Sequence, residues 1–351
     1  MVIAVDIRFT EEYQNFIYET FSRITTQHLQ HSFIFIFNKP YDPSFIFSDN
    51  VIPVVVQHTK ISLLSQLRND HKTSSLLKKY KADVFVTTQS LLRTNVPQCL
   101  IAWDKFTSKS LKKAQVIVTG SEFSKKEIIE NYKIDKNKID AVYKGVDEIF
   151  QPIIFEEKEK IKEQYADGNE YFFTCLPAGR FTGTIKRENI LLNLLKAFSV
   201  FKKMQKSNMQ LLIASKTEIS KEFLEKLRLF KFKTEVKILD VHKKELPGIT
   251  GAAYAFVSLF AQEGYSHALE AMRSNVSVIT SIAGCMPEIC SDAALYFDHN
   301  DHKDIADKMM LVYKDEKLRQ QLIENGKEQV KKYTWDKTAN SLWKSIEKAC
   351  R

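Results

Sequence analysis

The stretch Tyr254–Glu288, YAFVSLFAQEGYSHALEAMRSNVSVITSIAGCMPE, decides how this chain is read. It divides into strand, loop, helix, strand and loop. Tyr254–Leu259 is short and mostly apolar, the pattern of a strand buried on both faces of a parallel sheet. Gln262-Glu263-Gly264 is a loop carrying an amide and a carboxyl group. Ser266 is placed to cap a helix that carries His267, Ala268, Leu269, Glu270, Ala271 and Met272. Val276–Thr280 is a second strand, with Val276, Val278 and Ile279 suited to a pleated sheet. A helix starting at the carboxyl end of a parallel strand points its unpaired N–H groups and positive dipole end into the crevice where such sheets bind ligands. A diphosphate suits that geometry. Glu270, one turn inside the helix, is placed to accept hydrogen bonds from ribose hydroxyls.

Outward from this stretch the same alternation continues in both directions. Towards the N-terminus, strand candidates are Val2–Asp6, Phe33–Phe37, Ile52–Val56, Val84–Thr87, Cys99–Trp103, Gln115–Thr119 and Ile139–Tyr143. Helical stretches fall near Glu11–Gln27, before Lys81, and after Ser121, which reads as a helix cap. Gly145 to about Asn169 reads as a connection with a charged helix, FEEKEKIKEQY. A second series starts at Tyr171. It has strands Tyr171–Pro177, Met209–Ala214, Val236–Leu239 and Ala294–Phe297, and helices Ile190–Met204, Lys221–Phe230, His302–Lys314 and Lys317–Tyr333. A last helix carries Trp335, Leu342, Trp343 and Ile346 on its apolar side. Strands separated by helices predict parallel sheets with helices on both faces. Two such series in tandem predict an α/β protein of two doubly wound domains with a cleft between them.

Composition narrows the function classes. The chain has 351 residues, enough for two domains, and 44% hydrophobic with 27% charged residues, which fits a globular protein and not a disordered one. No apolar run approaches a membrane span. Val2–Val5 reads as strand from the outset, so no signal peptide is expected. Cys99, Cys175, Cys285, Cys290 and Cys350 are odd in number and scattered, which predicts reduced thiols and a cytoplasmic location, and they lack the spacing of a metal site. The net charge of +9 favours anionic partners. Nucleic acid is not expected, because the cations are dispersed among acids and no recognition motif accompanies them. Peripheral contact with an anionic membrane, at the inner face, remains open through Lys109, Lys112 and Lys113, although a solvated helix face is the plainer reading of that cluster.

VYKGVD at Val142–Asp147, GRFTGTIKRENILLNLLKAF from Gly179, the opening stretch and DAALYFD at Asp292–Asp298 together resemble retaining glycosyltransferases of family 4. The resemblance runs most clearly over Asp83–Trp335. It implies the GT-B fold: two Rossmann-like doubly wound domains facing across a cleft. Residues 1–149 would form an acceptor domain and 150–334 a nucleotide-sugar donor domain, with 335–351 a helix crossing back to the first. It implies transfer of a sugar, with retention, from a nucleotide diphosphate donor to a glycan or lipid-linked acceptor, with no metal and no cofactor. Arg180 and Lys186, with Arg187 beside them, would hold the diphosphate. Backbone N–H groups of Tyr265, Ser266, His267 and Ala268 would cradle it, and His267 is a further phosphate donor. Glu270 matches the acid that contacts ribose.

The sequence also departs from the family pattern. Counted back from Glu270, the first acid of the motif falls on Gln262; Glu263, followed by Gly264, is one residue closer, and the resemblance implies that one or the other faces the donor sugar. The glycine loop expected after the first strand is replaced by Asp6-Ile7-Arg8-Phe9-Thr10-Glu11-Glu12-Tyr13. Arg8 there is either an anion contact or, more plainly, a helix-entry cation. Trp103-Asp104 stands where relatives carry His-Asp, leaving Asp104 as the candidate for the acceptor hydroxyl and Trp103 as core filler or a sugar-stacking ring. Lys105–Lys113 is short for an acceptor-binding helix. These departures sustain an alternative, a catalytically weakened relative serving as a binding or scaffold subunit.

Overall fold

The computed structural model describes residues 1–8, 14–38, 40–56, 63–88, 91–103, 108–176, 187–215, 219–259 and 265–351, with the side chains of 63–69 and 187–188 excepted. They form two compact units, Met1–Gly145 with Trp335–Arg351, and Val146–Thr334.

The first unit contains β1 (Val2–Asp6), α1 (Gln14–Gln27), β2 (Ser32–Phe37), β3 (Val51–Val55), α2 (Leu63–Lys79), β4 (Val84–Thr87), β5 (Gln98–Ile101), α3 (Ser108–Lys113), β6 (Val116–Thr119), α4 (Glu122–Tyr132) and β7 (Ile139–Ala141). The strands form one sheet in the order β3-β2-β1-β4-β5-β6-β7, and every pairing is parallel. SFIFIF in β2 and VFVT in β4 are buried almost throughout, as strands covered on both faces must be. Ser121 caps α4: its side chain accepts from the Ser124 N–H. α3 is only six residues long, so the short segment read in the sequence does yield a helix, but a single abbreviated one.

The second unit contains α5 (Phe155–Ala166), β8 (Tyr171–Leu176), α6 (Arg187–Gln205), β9 (Gln210–Ser215), α7 (Lys221–Arg228), β10 (Val236–Leu239), α8 (Leu246–Gly251), β11 (Ala255–Ser258), α9 (Tyr265–Arg273), β12 (Ser277–Ser281), α10 (Met286–Cys290), β13 (Ala294–Phe297), α11 (His302–Lys314) and α12 (Glu316–Val330). Its sheet runs β10-β9-β8-β11-β12-β13, again parallel throughout. The chain winds outward from β8 to β10, then crosses to β11 and winds the other way. Strand order therefore reverses between β8 and β11, and the carboxyl ends of those two strands frame the crevice where such sheets take ligands. α8 and α10 escape the sequence reading because five or six residues, each with a proline in the first turn, are too few to show a helical period.

The last helix, α13 (Trp335–Ala349), belongs to the first unit. Its buried residues Trp335, Thr338, Ala339, Leu342, Trp343, Ile346 and Ala349 lie on one helical stripe. Trp343 stacks on His28 at 3.9 Å between ring centroids, and Arg23 on α1 pairs with Asp336 at 2.8 Å. Thr338 donates to the Tyr143 carbonyl at 2.8 Å, and Lys348 meets Asp140 at 2.6 Å. Gly145 lies against the start of this helix. A Cβ there would stand 2.4 Å from the Trp335 nitrogen and 2.7 Å from its ring, so no larger residue fits without displacement.

Candidate functional site

The carboxyl end of β11 leads to α9, whose first described residue is Tyr265. Ser266 does not cap the helix, as the sequence suggested, but sits inside its first turn. The first turn of α9, at 265–267, directs its backbone N–H groups and positive dipole end to the switch-point end of the sheet, with Ala268 behind them. Tyr265, Ala268, Leu269, Ala271 and Met272 are buried and fix α9 to the unit, with Gly326 of α12 allowing close approach to Met272. At the other end, Asn275 takes a left-handed φ of 59°, and Val276 N–H bonds the Ala271 carbonyl at 2.9 Å. This closes the helix and returns the chain to β12.

His267 and Glu270 share the half-exposed face of α9. His267 Nδ1 lies 2.7 Å from Glu270 Oε2. Burial alone would lower the imidazole pKa, but the Cys175 and Glu270 side chains outweigh it and raise the value well above the usual one. A carboxylate can only accept, so the hydrogen of this contact lies on Nδ1, which donates to Glu270. Cys175, half-buried near the carboxyl end of β8, is its neighbour across the switch point. This thiol is absent from the sequence-derived site. Within YFFTCL it looks like any core residue, and its only signal is that β8 ends one residue later.

Of the other candidates, Arg187 is the first residue of α6, with its side chain outside the described residues. Arg180, Lys186, Gln262, Glu263, Gly264 and Asp104 also lie outside them. All five cysteines are free thiols. Among the described residues no group of three or more His, Cys, Asp or Glu side chains could hold a metal ion, and no helix is long and apolar enough to cross a membrane.

At the corresponding switch point of the first unit, between β1 and β4, Arg8 is neither an anion contact nor an exposed helix-entry cation. It is buried, and its Nε and Nη2 each lie 2.7 Å from an Asp6 carboxylate oxygen, while Nη1 donates to Thr73 at 2.7 Å. A buried guanidinium needs a fork of acceptors, and Asp6 supplies it in the fixed bidentate geometry that only arginine matches. Trp103 packs on the core as an aromatic edge: its ring centroid is 4.2 Å from Phe16 at 77°, and Lys144 Nζ stands 4.2 Å from the ring. Packing, rather than an open stacking face, accounts for it.

Residues 178–329, which include β11, α9 and β12, match the family model described as glycosyl transferases group 1. The chain is 24% identical over 238 residues to O-antigen chain mannosyltransferase B of Escherichia coli, covering 66% of this chain and 60% of that protein. Thus it spans well under the full length of this curated relative. Among solved structures it is similar to a glycosyltransferase from Rickettsia africae, with a TM-score of 0.79 at 15% identity, covering 99% of this chain and 98% of that one. It is similar also to Anabaena HepE, solved in complex with UDP and glucose, with a TM-score of 0.75 at 12% identity and 99% coverage of both chains. The fold is therefore GT-B, with two Rossmann-like α/β units.

Proposed function

We propose that the chain is a retaining, family 4-like hexosyltransferase. It moves a sugar from a nucleoside diphosphate donor to a glycan or lipid-linked acceptor. The observation that carries this reading is the His267–Glu270 pair on a helix that begins at the sheet's switch point, inside the segment matched by the glycosyl transferase model. The mannosyltransferase relative and the nucleotide complex of HepE support a nucleotide-sugar donor, and they favour a transferase over a scaffold.

In this reading Glu270 accepts from the ribose hydroxyls, and the His267 hydrogen bond holds its carboxylate in one orientation. The His267 imidazole and the first-turn N–H groups of Tyr265, Ser266 and His267, with Ala268 behind them, form a positive end for the diphosphate. Arg180, Lys186 and Arg187 complete it from the segment between β8 and α6. Cationic groups fixed before the reaction stabilise the charge that develops on the leaving diphosphate as the glycosidic bond breaks, and this is the largest contribution the protein makes. The acceptor hydroxyl attacks from the same face, so no protein nucleophile takes part. Asp104 serves the acceptor hydroxyl, and Glu263 or Gln262 the donor sugar. The chain works at the cytoplasmic side, with peripheral contact to an anionic membrane.

A panel of UDP- and GDP-sugars, followed by calorimetry and by release of nucleoside diphosphate in the presence of glycan and lipid-linked acceptors, tests this. One donor is expected to bind and to turn over. Failure of every uridine and guanosine donor to bind contradicts it.

A further inference from the structure

The second unit has another polar concavity, at the opposite edge of its sheet from α9. A cavity of about 630 Å³ opens at the amino ends of β8, β9 and β10, between the end of α6 and the turn that precedes β10. Four lysines line it, Lys202, Lys203, Lys206 and Lys231, against one carboxylate, Glu235. Lys202 is buried and committed to the fold: its ammonium donates to the carbonyls of Ser207 and Met209 and stands 3.8 Å from Glu235. Lys203, Lys206 and Lys231 are exposed and make no ion pair among the described residues. Elsewhere in the second unit some exposed lysines pair with acids on their own helix, as Lys226 does with Glu222 and Lys327 with Glu324. These three instead converge on one hollow.

The floor of the hollow has its own unmet demand. Gln210 is 4% exposed, and its side-chain nitrogen donates to Asp167 at 3.2 Å, which fixes the amide orientation. Its Oε1 then faces no donor, and the Ser207 hydroxyl has no partner either, among the described residues. A buried acceptor without a donor forfeits its hydration without compensation. The lysines call for an anion and the glutamine oxygen calls for a hydroxyl.

We infer that this cavity binds a phosphate-bearing polyol, with Lys203, Lys206 and Lys231 on the phosphate and Gln210 and Ser207 on hydroxyl groups. The same chemistry is carried by a free glycerol or sugar phosphate and by the headgroup of a phosphatidylglycerol membrane. The inference is independent of the donor reading, since the two places lie at opposite ends of the strands.

The test uses the full chain. Glycerol 3-phosphate and inorganic phosphate are titrated by calorimetry, and phosphatidylcholine vesicles with and without phosphatidylglycerol are sedimented with the protein. The K203E/K206E/K231E variant is compared with K78E/K79E/K81E, an equal charge change at exposed lysines around the end of α2; K203Q/K206Q serves if the first variant does not fold. Saturable binding in the soluble arm, the vesicle arm or both is expected. Glycerol 3-phosphate should outbind inorganic phosphate in the soluble arm. The cavity variant should weaken binding by about tenfold or more, the loss of at least one charge-assisted hydrogen bond, and the α2 variant by less than about twofold. Binding in the soluble arm identifies a free metabolite, and binding to vesicles alone identifies a lipid headgroup. Absence of binding in both arms, or equal loss in the two triple variants, overturns the inference.

Discussion

Three residues acquire meaning only from their surroundings. Arg8 looks in sequence like a cation entering a helix, yet it is buried against Asp6 and Thr73. Removing one partner of a buried ion pair strands the other charge, at a cost of about 3–5 kcal/mol. Arg8→Met is therefore expected to lower the unfolding free energy, read from urea denaturation, by that amount, and adding Asp6→Leu to restore most of it. An Arg8→Met protein as stable as the parent would show that the pair carries no such burden. Gly145→Ala should cost about 1–3 kcal/mol through overpacking against Trp335, read from the same denaturation curves. For His267 the sign is set by a pKa raised above 6.5. Its hydrogen bond to Glu270 contributes stability that is fully present below pH 6.5 and is lost as pH rises through the raised value. Diphosphate affinity should fall over that same alkaline range, and His267→Gln should flatten the profile; an unchanged slope in that variant would remove His267 from the site. The helical placement of Glu270 was legible because the helix follows a buried strand. Cys175 was not, since a thiol ending an apolar strand carries no local mark, and the buried fate of Arg8 depends on Thr73, distant in sequence.

Elements were legible where their pattern was long. The β-rich apolar runs gave nearly every strand of both sheets, and Ser121 gave a helix start at the right residue. Replacing Ser121 with Ala leaves the α4 N-terminus uncapped and should cost about 1 kcal/mol, seen as a lower melting temperature with unchanged helical content at low temperature. Short elements were not legible: α8 and α10 lie below one clear period, and Ser266, a good capping residue by type, is inside α9 rather than before it. α13 shows its apolar stripe plainly, but nothing local states which sheet that stripe covers. The answer lies in His28 and Phe33 meeting Trp343, and in Phe16 meeting Trp335. Trp343→Ala should cost about 3–5 kcal/mol, as a large aromatic truncation in a packed site does. A loss below about 1 kcal/mol would mean that the helix is not a working part of that core.

At the scale of the molecule, the first unit takes its chain from both ends and the second is continuous. Each has its own core, Ile3 to Ala349 in one and Phe172 to Leu322 in the other. A fragment of residues 146–334 is therefore expected to fold alone and melt cooperatively, whereas a chain ending at Thr334 should lose the cooperative transition of the first unit. A fragment 146–334 without a cooperative melt would contradict the division. The tandem α/β architecture was visible in the sequence because two series of short apolar strands alternate with helices. The switch point that places α9 was not, because strand order is a property of the assembled sheet. The central claim is that α9 of the second unit holds a nucleoside diphosphate through Glu270. Calorimetric titration of UDP and GDP into the protein and into Glu270→Ala tests it most directly. The account predicts saturable binding of at least one of them, weakened about tenfold to a hundredfold in Glu270→Ala by the loss of charged hydrogen bonds, with the fold unchanged. Binding of neither nucleotide, or equal affinity in the variant, would contradict it.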